Sequence, residues 1–269
     1  VMNRLYGHAD AIAVWGGNQT VEAVRQKALP GVRLIEWGHH ISFAYFTEEV
    51  IDDAATVEAL AHDVCKMEQQ ACSSPQVLYI DSGDFGSVSR AGEALQQQMG
   101  QVSSSYPSPD MAIQEQAEVT AVTQMVKLQK PYGDADVIED ESLQWRLLLE
   151  DDSQLKASPL YRTLWIKPLP QENLVEELLP FRRLLQTATV GCAEEQLPQL
   201  THRLIRAGVT RIVKPGEVFA SYPGEPHDGV PALTRYCKRV DVQGMGDQLG
   251  GVMEIDELLP QCKGDVPED

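Results

Sequence analysis

"ADAIAVWGGNQTVEAVRQKAL", residues 9–29, sets the architecture of this chain. Ala11 to Val14 form a short apolar run, Gly16 and Gly17 interrupt it, and Thr20 leads a helical spacing through Val21, Val24 and Ala28. That order predicts a strand, a tight turn and a helix. Two more apolar runs follow: Val32 to Ile35, closed by Glu36, Trp37 and Gly38, and then Ile41 to Phe46. Strand alternating with helix predicts α/β architecture.

Farther along, Val50, Ile51, Ala54, Val57, Leu60, Ala61, Val64 and Met67 fit one apolar helical stripe over 48–70, with Thr47 as its N-cap. Ser73, Ser74 and Pro75 break it, and 76–80 reads as a strand. Helical patterns at 89–99 and 112–129 flank the loop "SSSYPSPD". Then come a strand at 162–169, a helix from about Glu172 to Leu185, a strand at 186–192, an amphipathic helix at 194–208, a strand at 210–214 and a helix-to-strand passage at 229–243. The acidic tail after Gly250 reads as loosely held. There is no internal repeat. A doubly wound nucleotide-binding unit needs several strand–helix pairs. Only one precedes the change in character here, so the chain reads as the later portion of a longer protein.

With 269 residues, 43% of them hydrophobic, the chain has enough apolar material for a sizeable core. Its net charge of −18 repels polyanions, which argues against nucleic acid as a partner. No apolar run approaches the ~20 residues of a membrane span, and the first residues lack signal-peptide order, so the expected location is the cytoplasm. Five cysteines, odd in number and scattered, support neither a disulfide framework nor a metal site.

One cysteine stands apart. In "QQACSSPQVLYID", residues 69–81, Cys72 falls where a helical run gives way to a strand, among small neighbours that admit a substrate. A thiolate in such a turn can attack a carbonyl while backbone N–H groups hold the oxyanion. On composition alone a cysteine beside alanine is more often packed than reactive, and Cys65, on the helical stripe, illustrates that case. Glu36, at a strand end, has the chemistry of a proton relay, although most such glutamates are simply solvated. His39 and His40 have no second cluster to make a metal site with and read as polar residues near a site or as exposed ones; His227, in "GEPHDG", reads as a turn residue, with a role in an acyl or cofactor pocket as the weaker alternative. Trp15, Trp37, Phe43 and Phe46 fit either an apolar tunnel or the core.

Together "VWGGNQTVEAVR", "RLIEWGHHISFAYF" and "QQACSSPQVLYID" resemble, in order and spacing, the acyl-CoA reductases of the LuxC type, members of the aldehyde dehydrogenase superfamily. "SPLYRTLWIKPL", "LQTATVG", "RAGVTRIV" and "PHDGVPALTRYCKRVDV" are similar to the family's closing segments, so the resemblance covers most of residues 9–242. It implies an aldehyde-dehydrogenase-like α/β fold: the end of a Rossmann cofactor-binding domain over 1–36, an α/β catalytic domain over 37–215, and a return segment with an oligomerisation strand and acidic tail over 216–269. It also implies Cys72 as nucleophile, Glu36 as acid/base, and Gly16, Gly17 and Asn18 beside a nicotinamide cofactor, NADPH. The implied reaction reduces a long-chain fatty acyl-CoA or acyl-protein thioester to the aldehyde through an acyl-cysteine. Implied partners are acyl-protein synthetase or acyltransferase subunits and further copies of the chain.

The sequence departs from the superfamily in two respects. The asparagine that helps hold the oxyanion and the residues that read the adenosine ribose lie upstream of anything in this chain. Where many members carry Glu-x-Phe, "YRTLWIKP" has no carboxylate. Two rival readings are an aldehyde dehydrogenase running the same thiol chemistry toward acid, and a non-catalytic assembly module.

Overall fold

In the computed structural model, which describes residues 5–108 and 110–237, the opening pattern folds as a strand–turn–helix unit. Strand β1 (Ala11–Trp15) leads into helix α1 (Asn18–Arg25), and strand β2 (Arg33–Trp37) returns parallel to β1, with Val14 beside Glu36 and Trp15 beside Trp37. These two strands form a sheet of their own. After Trp37 three residues carry the chain to a second, larger sheet.

That sheet has seven strands. They are β3 (Ile41–Phe46), β4 (Pro75–Ile80), β5 (Ala135–Glu139), β6 (Arg146–Glu150), β7 (Thr163–Pro168), β8 (Leu185–Gly191) and β9 (Arg211–Val213), in the order β5-β6-β7-β4-β3-β8-β9. All neighbours run parallel except β5 and β6. Strands β3, β4, β6, β7 and β8 are buried along their whole length, as expected of parallel strands covered on both faces.

Because side chains alternate along a strand, the sheet divides its apolar residues between two cores. Phe43, Tyr45, Val77, Tyr79, Trp165 and Ala188 face helices α5 (Leu174–Leu178) and α6 (Leu197–Ala207), which contribute Leu174, Leu178, Leu200 and Leu204. Ala44, Phe46, Leu78, Ile80, Leu147 and Ile166 face α2 (Ala54–Cys65) and α3 (Phe85–Val102), which contribute Leu60, Val64, Val88 and Leu95. Gly92 lets α3 lie close to the sheet: a β-carbon there would stand 3.0 Å from both Ile138 Cδ1 and Leu149 Cδ2. Helix α4 (Ile113–Gln129) packs Val126 on the first core. Among the described residues no helix is long and apolar enough to cross a membrane.

Several elements differ from their sequence pattern. The stripe over 48–70 is a 3-10 turn at Glu48–Val50, the helix α2, and a second 3-10 segment at Lys66–Gln69. Thr47 precedes only the first turn, and Asp53 is the N-cap residue of α2. The helix expected to run to Leu185 stops at Leu178, because Pro180 has no N–H with which to continue it. Strands β5 and β6 have no counterpart in the sequence pattern. At the far end α7 (Ala232–Tyr236) forms and takes up Arg235 and Tyr236, the first two residues of the oligomerisation strand expected at 235–242; the rest of that strand beyond Cys237, the acidic tail and Cys262 lie outside the described residues.

Candidate active site

Cys72 sits in the turn between the Lys66–Gln69 segment and β4, with its residue exposed. The turn closes through Ser74 N–H donating to the Ala71 carbonyl at 3.0 Å. Ser42 Oγ donates to the Cys72 carbonyl at 2.6 Å and itself accepts the Thr187 N–H at 3.1 Å. One hydroxyl therefore ties the cysteine loop to the starts of β3 and β8.

Behind the loop the backbone is held in an uncommon shape. Met67, Glu68 and Gln69 have φ of 61°, 55° and 59°, and Leu160, Tyr161 and Arg162 have 65°, 53° and 57°. Non-glycine residues adopt this left-handed region only where surrounding structure enforces it. Here Tyr161 N–H donates to the Glu68 carbonyl at 3.0 Å, and the Arg162 guanidinium pairs with the Glu68 carboxylate. Arg162 also donates to the carbonyls of Ser103, Tyr106 and Pro107.

Two clefts meet at Cys72. One, of about 280 Å³, runs past Trp15, Gly16, Gly17, Trp37 and His40; the other, of about 290 Å³, runs past Gln186, Phe219, His227 and Asp228. Trp15 and Trp37 stack with ring centroids 5.7 Å apart. Gly16 has φ 153°, and a β-carbon on it would lie 3.1 Å from Thr20 Cβ, whereas the space beside Gly17 is open. Asn18 opens α1 behind them and is exposed. Phe43 and Phe46, expected either here or in the core, are core residues.

Glu36 does not join this group. It alternates with buried Ile35 and Trp37 on β2 and so points to the opposite side, where both carboxylate oxygens accept from Arg25, Nε at 2.9 Å and Nη2 at 2.7 Å. An acid/base role for Glu36 at Cys72 requires this clasp to open.

The second cleft contains Gln186 and Asp228, which the sequence pattern did not single out, beside His227, which it did. Gln186 Nε2 donates to Asp228 Oδ1 at 2.7 Å. His227 Nδ1 is 3.2 Å from Asp228 Oδ2, and its ring meets Trp37 edge-on at 4.4 Å, so this residue belongs to the cleft wall rather than to a mere turn. From β9, Arg211 pairs with Glu225 at 2.7 Å and donates to the Val218 carbonyl at 2.9 Å, which fixes the loop that carries Phe219. Asp63, on α2, accepts the Gly216 N–H at 2.7 Å, and burial pushes its carboxyl up to about 7. Cys65 contrasts with Cys72: it is buried against Met99, and desolvation pushes its thiol up to about 12.

Comparison with known proteins bears on this arrangement. The family model described as acyl-CoA reductase (LuxC) matches residues 1–239. A long-chain acyl-protein thioester reductase of Aliivibrio fischeri is 25% identical over 231 residues, 86% of this chain and 46% of that protein. Another, long-chain acyl-protein thioester reductase 2 of Photobacterium leiognathi, is 28% identical over 84% of this chain and 45% of its own length. The chain thus spans about half the length of these relatives. Among solved structures, bifunctional proline utilization A matches with a TM-score of 0.65 at 14% identity over 87% of this chain and 26% of that one. An aldehyde dehydrogenase C mutant from Pseudomonas syringae, complexed with NAD+ and octanal, matches with a TM-score of 0.61 at 15% identity over 84% of this chain and 49% of that one. The fold is that of the aldehyde dehydrogenases.

Proposed function

The chain belongs to the acyl-CoA reductase (LuxC) family, and from that premise we propose that it takes part in NADPH-dependent reduction of long-chain fatty acyl thioesters, on coenzyme A or on protein, to fatty aldehydes. The carrying observation is the place of Cys72: an exposed thiol in a rigidly braced turn where two clefts meet. One cleft is bordered by the glycine turn and the other by a largely separate wall, so acyl donor and reductant can approach the same sulfur from different sides.

Cys72 thiolate attacks the thioester carbonyl, a bond forms between its sulfur and the acyl carbon, and the carbon–sulfur bond to the donor breaks, releasing the donor as a thiolate. A thioester suits this exchange because its carbonyl is weakly resonance-stabilised. Gly16, Gly17 and Asn18 would hold the nicotinamide end of the cofactor, a reading supported by the open space beside Gly17. When bound, that cofactor supplies a hydride to the acyl carbon. Release of the aldehyde then breaks the carbon–sulfur bond and returns the thiolate to Cys72. The regions 1–36, 37–215 and 216–269 correspond on this reading to the end of the cofactor domain, the catalytic domain and the return segment.

Tritiated long-chain acyl-CoA tests the proposal. The label is expected on Cys72, lost in Cys72→Ser, and discharged as aldehyde when NADPH is added. Label that never reaches Cys72 overturns it in favour of a docking role; turnover only with aldehyde and oxidised cofactor overturns it in favour of aldehyde oxidation.

A further inference from the structure

Strand β3 loses register with both of its neighbours at the same place. Against β4, Ser42 lies beside Pro75 and Phe43 beside Val77, which leaves Gln76 without a partner on β3. Against β8, Ile41 lies beside Leu185 and Phe43 beside Ala188, so β8 too carries one residue more than β3 over this span. A bulge interrupts the backbone ladder and leaves groups that must be paired by other means. The hydroxyl of Ser42, a residue only 1% exposed, supplies the pairing: it accepts the Thr187 N–H at 3.1 Å and donates to the Cys72 carbonyl at 2.6 Å.

The same irregularity sets the opposite wall of the second cleft. Gln186, in the bulged stretch of β8, donates from Nε2 to Asp228 Oδ1 at 2.7 Å, and its carbonyl accepts the Thr210 N–H at 3.1 Å. Gln186 and Asp228 line this cleft together with Cys72 and Ser73. Ser42 therefore stands between the loop that carries the thiol and the strand that carries the facing wall, with one hydrogen bond to each.

We propose that Ser42 is a positioning residue for the reaction at Cys72: its hydroxyl sets the spacing between the cysteine loop and the Gln186–Asp228 wall against which an acyl donor lies. The role rests on Cys72 being the nucleophile. No bond forms or breaks at Ser42. It acts through the planar Cys72–Ser73 peptide, whose orientation is fixed once its carbonyl is held. A misplacement of about 1 Å between reacting groups costs up to about a hundredfold in rate, whereas contacts to the rest of the donor are unaffected.

The test is single-turnover acylation of Cys72 by tritiated long-chain acyl-CoA, measured on the full chain against acyl-CoA concentration and resolved by cysteine in a peptide digest. In Ser42→Ala the limiting rate should fall about tenfold while the half-saturating concentration stays within about twofold of wild type. Ser42→Thr keeps the hydroxyl on a strand that accepts a β-branched residue, and should recover most of the rate. Hydrogen–deuterium exchange gives a readout independent of turnover: Ser42→Ala should lose protection in the peptides containing Thr187 and residues 71–74 and keep it in α3. Alkylation of buried Cys65 reports unfolding; should Ser42→Ala unfold, Ser42→Cys carries the same comparison, because a thiol pairs more weakly at similar volume. An unchanged limiting rate in the folded variants, with wild-type Cys72 labelled, overturns the role of Ser42 and leaves Cys72 as nucleophile. A loss that Ser42→Thr does not recover also overturns it, in favour of general weakening of the sheet. Wild-type Cys72 that takes no label overturns both readings.

Discussion

Arg162 and Glu68 form a buried ion pair just ahead of the Cys72 loop, with side chains 0% and 8% exposed. It joins two left-handed stretches of backbone, neither of which contains glycine, so the pair stabilises conformations that neither segment favours alone. Removing the guanidinium leaves a buried carboxylate whose protonation is already favoured by desolvation, and three carbonyls without their donor. Arg162→Met is expected to cost about 3–5 kcal/mol in urea unfolding. A loss below about 1 kcal/mol would mean that the turn is held by other contacts.

The two thiols nearest each other in sequence should behave oppositely. Cys65 is buried, and its thiol is pushed up to about 12, so acyl-CoA should not label it at neutral pH. Cys65→Ser should retain acylation and pay only for a buried hydroxyl, about 1–2 kcal/mol. Cys72→Ser should lose acylation with little change in stability, because the residue is exposed. Equal loss of label in both variants would reassign the nucleophile.

Parts of this site were legible in the sequence and others were not, for physical reasons. The turn at Cys72 was readable because Ser73, Ser74 and Pro75 end any helix before the apolar strand begins. Gly16 and Gly17 were readable for the same local reason. The left-handed run at Met67, Glu68 and Gln69 was not, since it is imposed from outside by Arg162. Strands β5 and β6 are masked in the sequence by the acidic residues among and beside them, Asp134, Asp136, Glu139, Glu150 and Asp151. Asp228 beside Gln186 was invisible because only the tertiary fold brings the turn at 228 against β8. Glu36 shows the reverse: its residue type and its place at a strand end suggest chemistry, and its direction along the strand turns it toward Arg25.

Asp63 gives a pH dependence whose sign can be worked out. Its carboxyl rises from 3.8 to about 7 on folding because burial disfavours the charge. The folded state therefore holds a proton that the unfolded chain has lost, and this contribution is complete below pH 3.8 and disappears as the pH rises through about 7. Asp63→Asn keeps an oxygen to accept the Gly216 N–H but removes the titration. The variant should gain stability relative to wild type as the pH rises from 5 toward 8, by about 1 kcal/mol or more. Parallel stability curves for the two proteins across that range would show that Asp63 does not titrate on folding.

Lys167 has no exposed side-chain surface and donates to Glu150 Oε2 at 2.7 Å and to Asp152 Oδ1 at 2.6 Å. Lys156 reaches the same two carboxylates, at 2.5 and 3.2 Å, from a partly exposed position. Lys167→Met should cost about 3 kcal/mol or more, since it leaves Glu150 buried with one cation in place of two. Lys156→Met should cost less than half of that. Chemical denaturation of both variants checks the ranking, and a larger loss for Lys156 would invert the assignment of the central cation.

The clasp between Glu36 and Arg25 separates two roles for the carboxylate. Both side chains are substantially solvated, 32% and 53% exposed, so solvent screens the ion pair and it adds little stability. If Glu36 serves only to hold β2 to α1, then Glu36→Gln and Arg25→Gln break the same contact and should alter stability and reductase turnover to the same small extent. That equality is the expected result, because Glu36 points away from the cleft that contains Cys72. A carboxylate that leaves Arg25 to act at the acyl-cysteine would give a different pattern: Arg25→Gln would remain active or gain rate, while Glu36→Gln would slow turnover of the acyl-enzyme more than its formation. Single-turnover kinetics with preformed acyl-enzyme distinguishes the two patterns.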